Sequence, residues 1–188
     1  NANLGYMWRR SSMAASAIVL DADQAVTVGA SFTFSIIYYI TDWSAQPVFF
    51  DAKAADNANR VIIYATTGRV VKVAVYNASG TAKTITLGTC TNGAWRRLTV
   101  VCNAGTWTSY DSAYTSSTAT ETVSATTAAH EALSATAVAF GNLAASASAS
   151  RGFIGYLGHI FVYNYALSKD QHFSLVKHGM TRELGTIT

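Results

Sequence analysis

Short runs rich in Val, Ile, Thr, Tyr and Phe recur along the chain, divided by Gly, Asn and Asp, and this punctuation predicts strands. The runs are SAIVL (16–20), AVTV (25–28), SFTFSIIYYI (31–40), PVFFD (47–51), RVIIYAT (60–66), RVVKVAVYN (69–77), KTITL (83–87), WRRLTVVC (95–102), TWTSY (106–110), ETVS (121–124), ATAVAF (135–140) and FIGYLGHIFVYN (153–164). In RVVKVAVYN, Val71, Val73 and Val75 alternate with Val70, Lys72, Ala74 and Tyr76, so one face of that strand is uniformly apolar. Thr67–Gly68 reads as a hairpin turn and Asn92–Gly93 as a tight turn. About a dozen short strands predict an all-β fold of two packed antiparallel sheets. The Ser-, Thr- and Ala-rich stretch 112–151 contains VAFGN, which favours small-residue strands and surface loops over a linker. Within it, TAAHEALSATA (127–137) leaves a short helix open as an alternative.

One helix is expected after Asn164. Ser168 followed by Gln171 makes a capping box, and Asp170 in the first turn complements the helix dipole. Lys177 and His178 fall in the last turn, and Gly179 supplies the stop. Phe173, Val176 and Leu175 form its apolar side. So short a helix is not stable alone in water, where about 12–15 residues is marginal, so it must lean on the sheets.

The 188 residues, half of them hydrophobic and 12% charged, suit a single domain spanning 1–188 and exclude a disordered composition. The chain begins at Asn1 without a signal peptide, and a processed product or a piece of a longer protein is expected. The net charge of +3 is mild, and basic pairs such as Arg9–Arg10 and Arg96–Arg97 form no stripe. Nucleic-acid binding is therefore not expected. Membrane insertion is not expected either, because no apolar run approaches the roughly 20 residues of a bilayer span. Cys90 and Cys102 read as two unpaired thiols, bridged only if the fold brings them together.

The end of the chain carries a pattern, F-x-G-x-(I/L)-x-x-(I/V)-x-(I/V)-Y-N-x-A-L-S, followed by the short helix. Phe153, Gly155, Leu157, Ile160, Val162, Tyr163, Asn164, Ala166, Leu167 and Ser168 occupy it. It resembles the terminal signature of laminin-G-like domains in the concanavalin A-like jelly-roll superfamily. VLDADQAVTV and SFTFSIIYYI resemble the early strands of that family, and AVAFGN its strand ahead of the final pair. GAWRRLTVVCNAGTWTSYD resembles its central block through Trp95, Leu98, Val100, Tyr110 and Asp111. The resemblance implies a two-sheet antiparallel jelly-roll sandwich closed by one short C-terminal helix, with Trp95 as an inner tryptophan. Some relatives bind calcium through rim carboxylates. Gly158 and His159 stand where the family often has acidic residues, and Ser112 stands where it has a glycine, which argues against that site here.

Catalytic constellations are hard to find. The glucanases that the architecture resembles use E-x-D-x-x-E on one strand, so that two carboxyl groups share a face. Glu121 and Glu131 lie in no such motif. His130-Glu131 begins like H-E-x-x-H, but Ser134 replaces the second histidine. His159 reads as a half-buried strand residue, and His172 and His178 as helix surface. No G-x-S-x-G elbow or phosphate loop occurs. No enzyme is expected.

Two sets of binding residues remain. In DAKAADNANR, Asp51, Asp56, Asn57 and Asn59 offer hard oxygens in an expected loop. Calcium favours such donors but takes six to eight of them, and Asx residues also make ordinary turns. No other cofactor is implied. For glycans, Trp43 beside Asp42, and Trp107 beside Tyr110, offer ring faces and polar groups. The expected function is non-catalytic recognition of a glycan or a surface protein, outside the cell or on a cell or particle surface. The alternative is a structural component of a virion head or tail or of another extracellular assembly, contacting neighbouring subunits.

Overall fold

A computed structural model describes residues 2–4, 8–10, 18–20, 26–54, 59–77, 79–114, 116–124, 126, 128, 133–135, 137–144 and 148–174. The strands are β1 (Ala2–Leu4), β2 (Trp8–Arg10), β3 (Ile18–Leu20), β4 (Val26–Val28), β5 (Phe32–Ile40), β6 (Val48–Lys53), β7 (Arg60–Ala65) and β8 (Val70–Tyr76). They continue as β9 (Ala82–Thr89), β10 (Arg96–Asn103), β11 (Thr106–Ala113), β12 (Thr120–Val123), β13 (Leu133–Ala135), β14 (Ala137–Phe140) and β15 (Gly155–Tyr163). A single 3-10 turn, Ala149–Arg151, precedes β15, and a helix, α1, is described over residues 169–174.

Two antiparallel sheets face each other. One has seven strands in the order β1-β15-β5-β10-β11-β12, with β2 also paired to β15. The other has six in the order β3-β14-β6-β7-β8-β9, and β13 and β4 form a separate pair. The expected runs map onto β3 to β12, β14 and β15; β1, β2 and β13 were not foreseen, and the run from 135 meets β13 only at Ala135. The 127–137 segment is strand at 133–135 and 137, Ala128 is a buried non-helical residue whose N–H donates to Gly105 O, and its remaining residues lie outside those described. The chain repeatedly changes sheet. Asn92–Gly93, with Gly93 at φ 67°, turns between β9 and β10, and these belong to different sheets, so the turn is a crossover rather than a hairpin. The 67–68 turn does join the paired β7 and β8, closed by Arg69 N–H to Thr66 O at 2.8 Å.

Period-two alternation builds the core. Phe32, Phe34, Ile36, Tyr38 and Ile40 of β5 meet Val61, Ile63 and Ala65 of β7 and Val71, Val73 and Val75 of β8. An aromatic knot locks the layers. Phe34 stacks on Phe50 at 5.1 Å, Phe50 lies 5.9 Å from Phe140, and Trp107 meets Phe32 edge-on at 5.7 Å. Each such ring contributes about 1.5–3 kcal/mol by leaving water. A register shift between Leu157 and Ile160 lets both residues face the core despite their odd spacing, as a bulge does.

The start of the closing helix follows the capping logic. Ser168 N–H donates to Gln171 Oε1 at 2.8 Å, and Gln171 N–H donates to Ser168 Oγ at 3.3 Å. Thr33 Oγ1 fastens the lead-in by donating to Tyr165 O (2.8 Å) and accepting from Leu167 N–H (2.9 Å). Lys177, His178 and Gly179, with Leu175 and Val176, lie outside the described residues. The helix thus sits on the outer face of the seven-stranded sheet.

Candidate ligand-binding face

Along that outer face, strand register arranges the side chains in rows. Tyr39 and Tyr156 are register partners on β5 and β15, and Trp95 leads into β10 next to them. Tyr39 lies 5.7 Å from Trp95 and 6.1 Å from Tyr156, and Trp95 lies 6.0 Å from Tyr156. All three rings touch one another, and all three are half-buried. The approach of β15 to β5 depends on Gly155. At φ 146°, a Cβ there would lie 2.0 Å from Tyr39 O, so only glycine lets the strands close and sets Tyr156 against Tyr39.

Trp95 departs from expectation. Arg96 turns inward opposite Tyr38, so its predecessor Trp95 is left on the outer side, within the ring cluster instead of the core. None of the three aromatics was singled out for ligand binding from sequence, because Tyr39 sits in a run where almost every side chain is apolar and its partners are far along the chain. The alternation of SIIYYI is the one local signal that Tyr39 opposes Tyr38.

The residues expected to bind a ligand separate into two groups. Trp43 is half-buried at the rim, where its Nε1–H donates to Asn92 Oδ1 at 3.0 Å and ties two loops together. Asp42 is exposed, and its Oδ1 accepts from Ser44 N–H at 2.8 Å in an Asx turn. Trp107 is 0% exposed, with Nε1–H donating to Ala128 O at 2.9 Å, so its ring belongs to the core and offers no face to a sugar. Tyr110 is likewise buried, stacked on His172 at 5.5 Å.

Nor is His172 helix surface. It is fully buried, its Nδ1 lies 2.7 Å from Thr99 Oγ1, and Thr99 in turn lies 2.8 Å from Ser35 Oγ. Burial first, then the charge of Arg97, pushes the imidazole down to about 4, so it is neutral at pH 7. His159 is half-buried, as expected, with its ring stacked on Phe161 at 6.2 Å.

The expected oxygen cluster is dispersed. Asp51 stands in β6, not in a loop, and is fully buried. Arg60 Nε and Nη2 donate to its two oxygens at 2.8 and 2.6 Å, and Ala144 N–H adds a third bond at 2.6 Å. Its carboxylate is already neutralised and does not fit a calcium shell. Asn59 turns the chain at φ 46°, with its carbonyl accepting from Ala54 N–H, while Asp56 and Asn57 lie outside the described residues. Among the described residues, no group of three His, Cys, Asp or Glu side chains is placed to hold a metal ion.

On the inner side, Arg96 grips Asp111 at 2.5 and 3.3 Å, close to Tyr38 and Cys90. Burial pushes the Cys90 thiol up to about 12 and raises Tyr38 as well, so both are protonated at neutral pH. Such a thiol is no nucleophile. Both cysteines are free and buried, as the sequence led one to expect.

No protein-family model matches the chain, and no curated protein sequence matches it. Solved structures do. The carbohydrate-binding module CBM40 of the Ruminococcus gnavus IT-sialidase, solved with α2,3-sialyllactose, is similar at 13% identity and a TM-score of 0.68, covering 93% of this chain and 97% of its own. Domains LG4-5 of the mouse laminin α1 chain match at 12% identity and a TM-score of 0.60, over 86% of this chain and 43% of theirs. The SAP-like pentraxin of Limulus polyphemus matches at 13% identity and a TM-score of 0.51, over 81% of this chain and 72% of its own. Identities this low speak to architecture alone. The chain therefore folds as a concanavalin A-like jelly-roll sandwich, the architecture it shares with these carbohydrate-binding, laminin G and pentraxin domains.

Proposed function

We propose that this chain is a non-catalytic recognition module that binds a glycan on the outer face of the seven-stranded sheet, through Tyr39, Trp95 and Tyr156. The observation that carries this reading is the half-buried cluster of three mutually touching rings. Aromatic side chains combine a broad apolar face with a fixed orientation, and a few such anchors dominate binding energy at recognition surfaces. Asp42 and Asn92, in the two loops that Trp43 ties together, supply polar groups for sugar hydroxyls. The similarity to a module solved with sialyllactose supports the glycan class without selecting the sugar. Such a module acts outside the cell or on a cell or particle surface.

The test is a glycan array on the purified chain, followed by calorimetry with the best sugar. Trp95→Ala is expected to weaken binding about 30-fold, the loss of one anchor, while thermal unfolding stays within a few degrees of wild type. Retention of no glycan by the wild-type protein, or equal affinity in the variant, would overturn this reading. Assembly of the glycan-silent chain into a regular particle would favour the structural alternative.

A further inference from the structure

Strand β10 sends Arg97 to the outer face of the seven-stranded sheet, opposite Ile37 of β5 and Ser112 of β11. Alternation makes this a solvent-side position, yet Arg97 is 0% exposed. Its Nε, Nη1 and Nη2 have no hydrogen-bond partner among the described residues, and neither do Ser112 Oγ and His172 Nε2. These groups are neighbours. Ser112 is the register partner of Arg97, and His172 docks on Thr99, the next β10 residue on the same face, within reach of the Arg97 charge. The other buried charges among the described residues are matched, Asp51 by Arg60 and Asp111 by Arg96.

Burial lowers the guanidinium only to about 10, so it remains a cation at neutral pH. A desolvated cation without a counter-charge is strongly unfavourable, and each buried polar group left unmatched calls for an explanation. The planar fork of an arginine fits two oxygens of a carboxylate or similar oxyanion side by side. A hydroxyl and an imidazole N–H next to it add donors of the same sense; the latter is present when Thr99 Oγ1–H donates to Nδ1 and the ring proton sits on Nε2.

We propose that Arg97, Ser112 and His172 form an internal oxyanion site on the outer face of the seven-stranded sheet, which takes a carboxylate or another small oxyanion. The bound group neutralises Arg97 and links β10, β11 and α1. It comes either from a free ion or from an acidic substituent on a larger ligand, since Trp95, just before β10, precedes Arg97 by two residues on the same side. The site does not depend on the ring cluster.

The experiment compares thermal unfolding of wild type and Arg97→Met at constant ionic strength while sodium formate, sodium sulfate or sodium glucuronate replaces chloride. Glucose serves as the neutral control. Wild type is expected to show a saturable rise of roughly 5 °C, the order given by a ligand near a hundred times its dissociation constant. Arg97→Met, which removes an unmatched buried charge, is expected to fold and not to respond. A parallel NMR titration follows the Arg97 Nε–H resonance in the wild-type protein, so a poorly folding variant leaves the proposal testable. Saturable movement of that resonance with formate and not glucuronate identifies a free ion, and tighter response to glucuronate identifies a ligand-borne acid. Equal responses in wild type and Arg97→Met, or an Arg97 Nε–H that no anion moves, would overturn the site.

Discussion

Acid should loosen the closing helix through one imidazole. His172 is fully buried between Thr99, Tyr110 and Phe173, with the Arg97 cation nearby, and is held near 4 against an ordinary value of 6.5. Between those two values the unfolded chain carries more protons than the folded one, so stability rises with pH and falls as acid is added. At about 1.4 kcal/mol per tenfold change, the full depression is worth roughly 3 kcal/mol. Roughly 2.5 kcal/mol is lost between pH 7 and pH 4.5, about half of it by pH 5.5, and little more below pH 4. The assay is urea unfolding at pH 7.0, 5.5 and 4.5 for wild type and for His172→Gln, whose amide can still reach Thr99 but does not titrate. Subtracting the two curves cancels every other titrating group, including Asp111, which burial raises and whose contribution has the opposite sign. Parallel stability curves for the two proteins would refute the reasoning, as would an NMR titration placing His172 near 6.5 in the folded state.

Other substitutions test other parts of the argument. Gly155→Ala forces a Cβ to 2.0 Å from Tyr39 O at a φ of 146°, and is expected to cost more than about 3 kcal/mol in chemical unfolding, because both partners are backbone. Asp51→Ala strands the Arg60 guanidinium and the Ala144 N–H, and should destabilise by about 3–5 kcal/mol in the same assay. Ser168→Ala removes half of the capping box, and should cost about 1 kcal/mol by calorimetry while leaving glycan affinity unchanged.

Local chemistry carried much of the architecture. The alternation of Val71, Val73 and Val75 leads directly to their place in the core, and the Ser168–Gln171 pair forms the reciprocal bonds that its spacing implies. β1 and β2 are not legible because the three-residue strands ANL and WRR carry no period long enough to read. The binding face was far less legible. Trp107 and Tyr110 looked like sugar-facing rings, but a tryptophan in a strand can face either layer, and the register with Cys102 turned Trp107 inward. Tyr110 does face outward, yet α1 covers it with His172.

The sequence by itself determined the longer strands, their apolar faces and the helix start, because these follow from side-chain period and from hydrogen bonds spanning a few residues. Only the tertiary structure decided which outward side chains meet solvent. Tyr39 and Tyr156 come from two strands and Trp95 from the residue leading into a third, and Arg97, Ser112 and His172 from two strands and a helix. Their exposure and charge balance depend on what packs over a face, and that is fixed by sheet order and helix docking between residues distant along the chain.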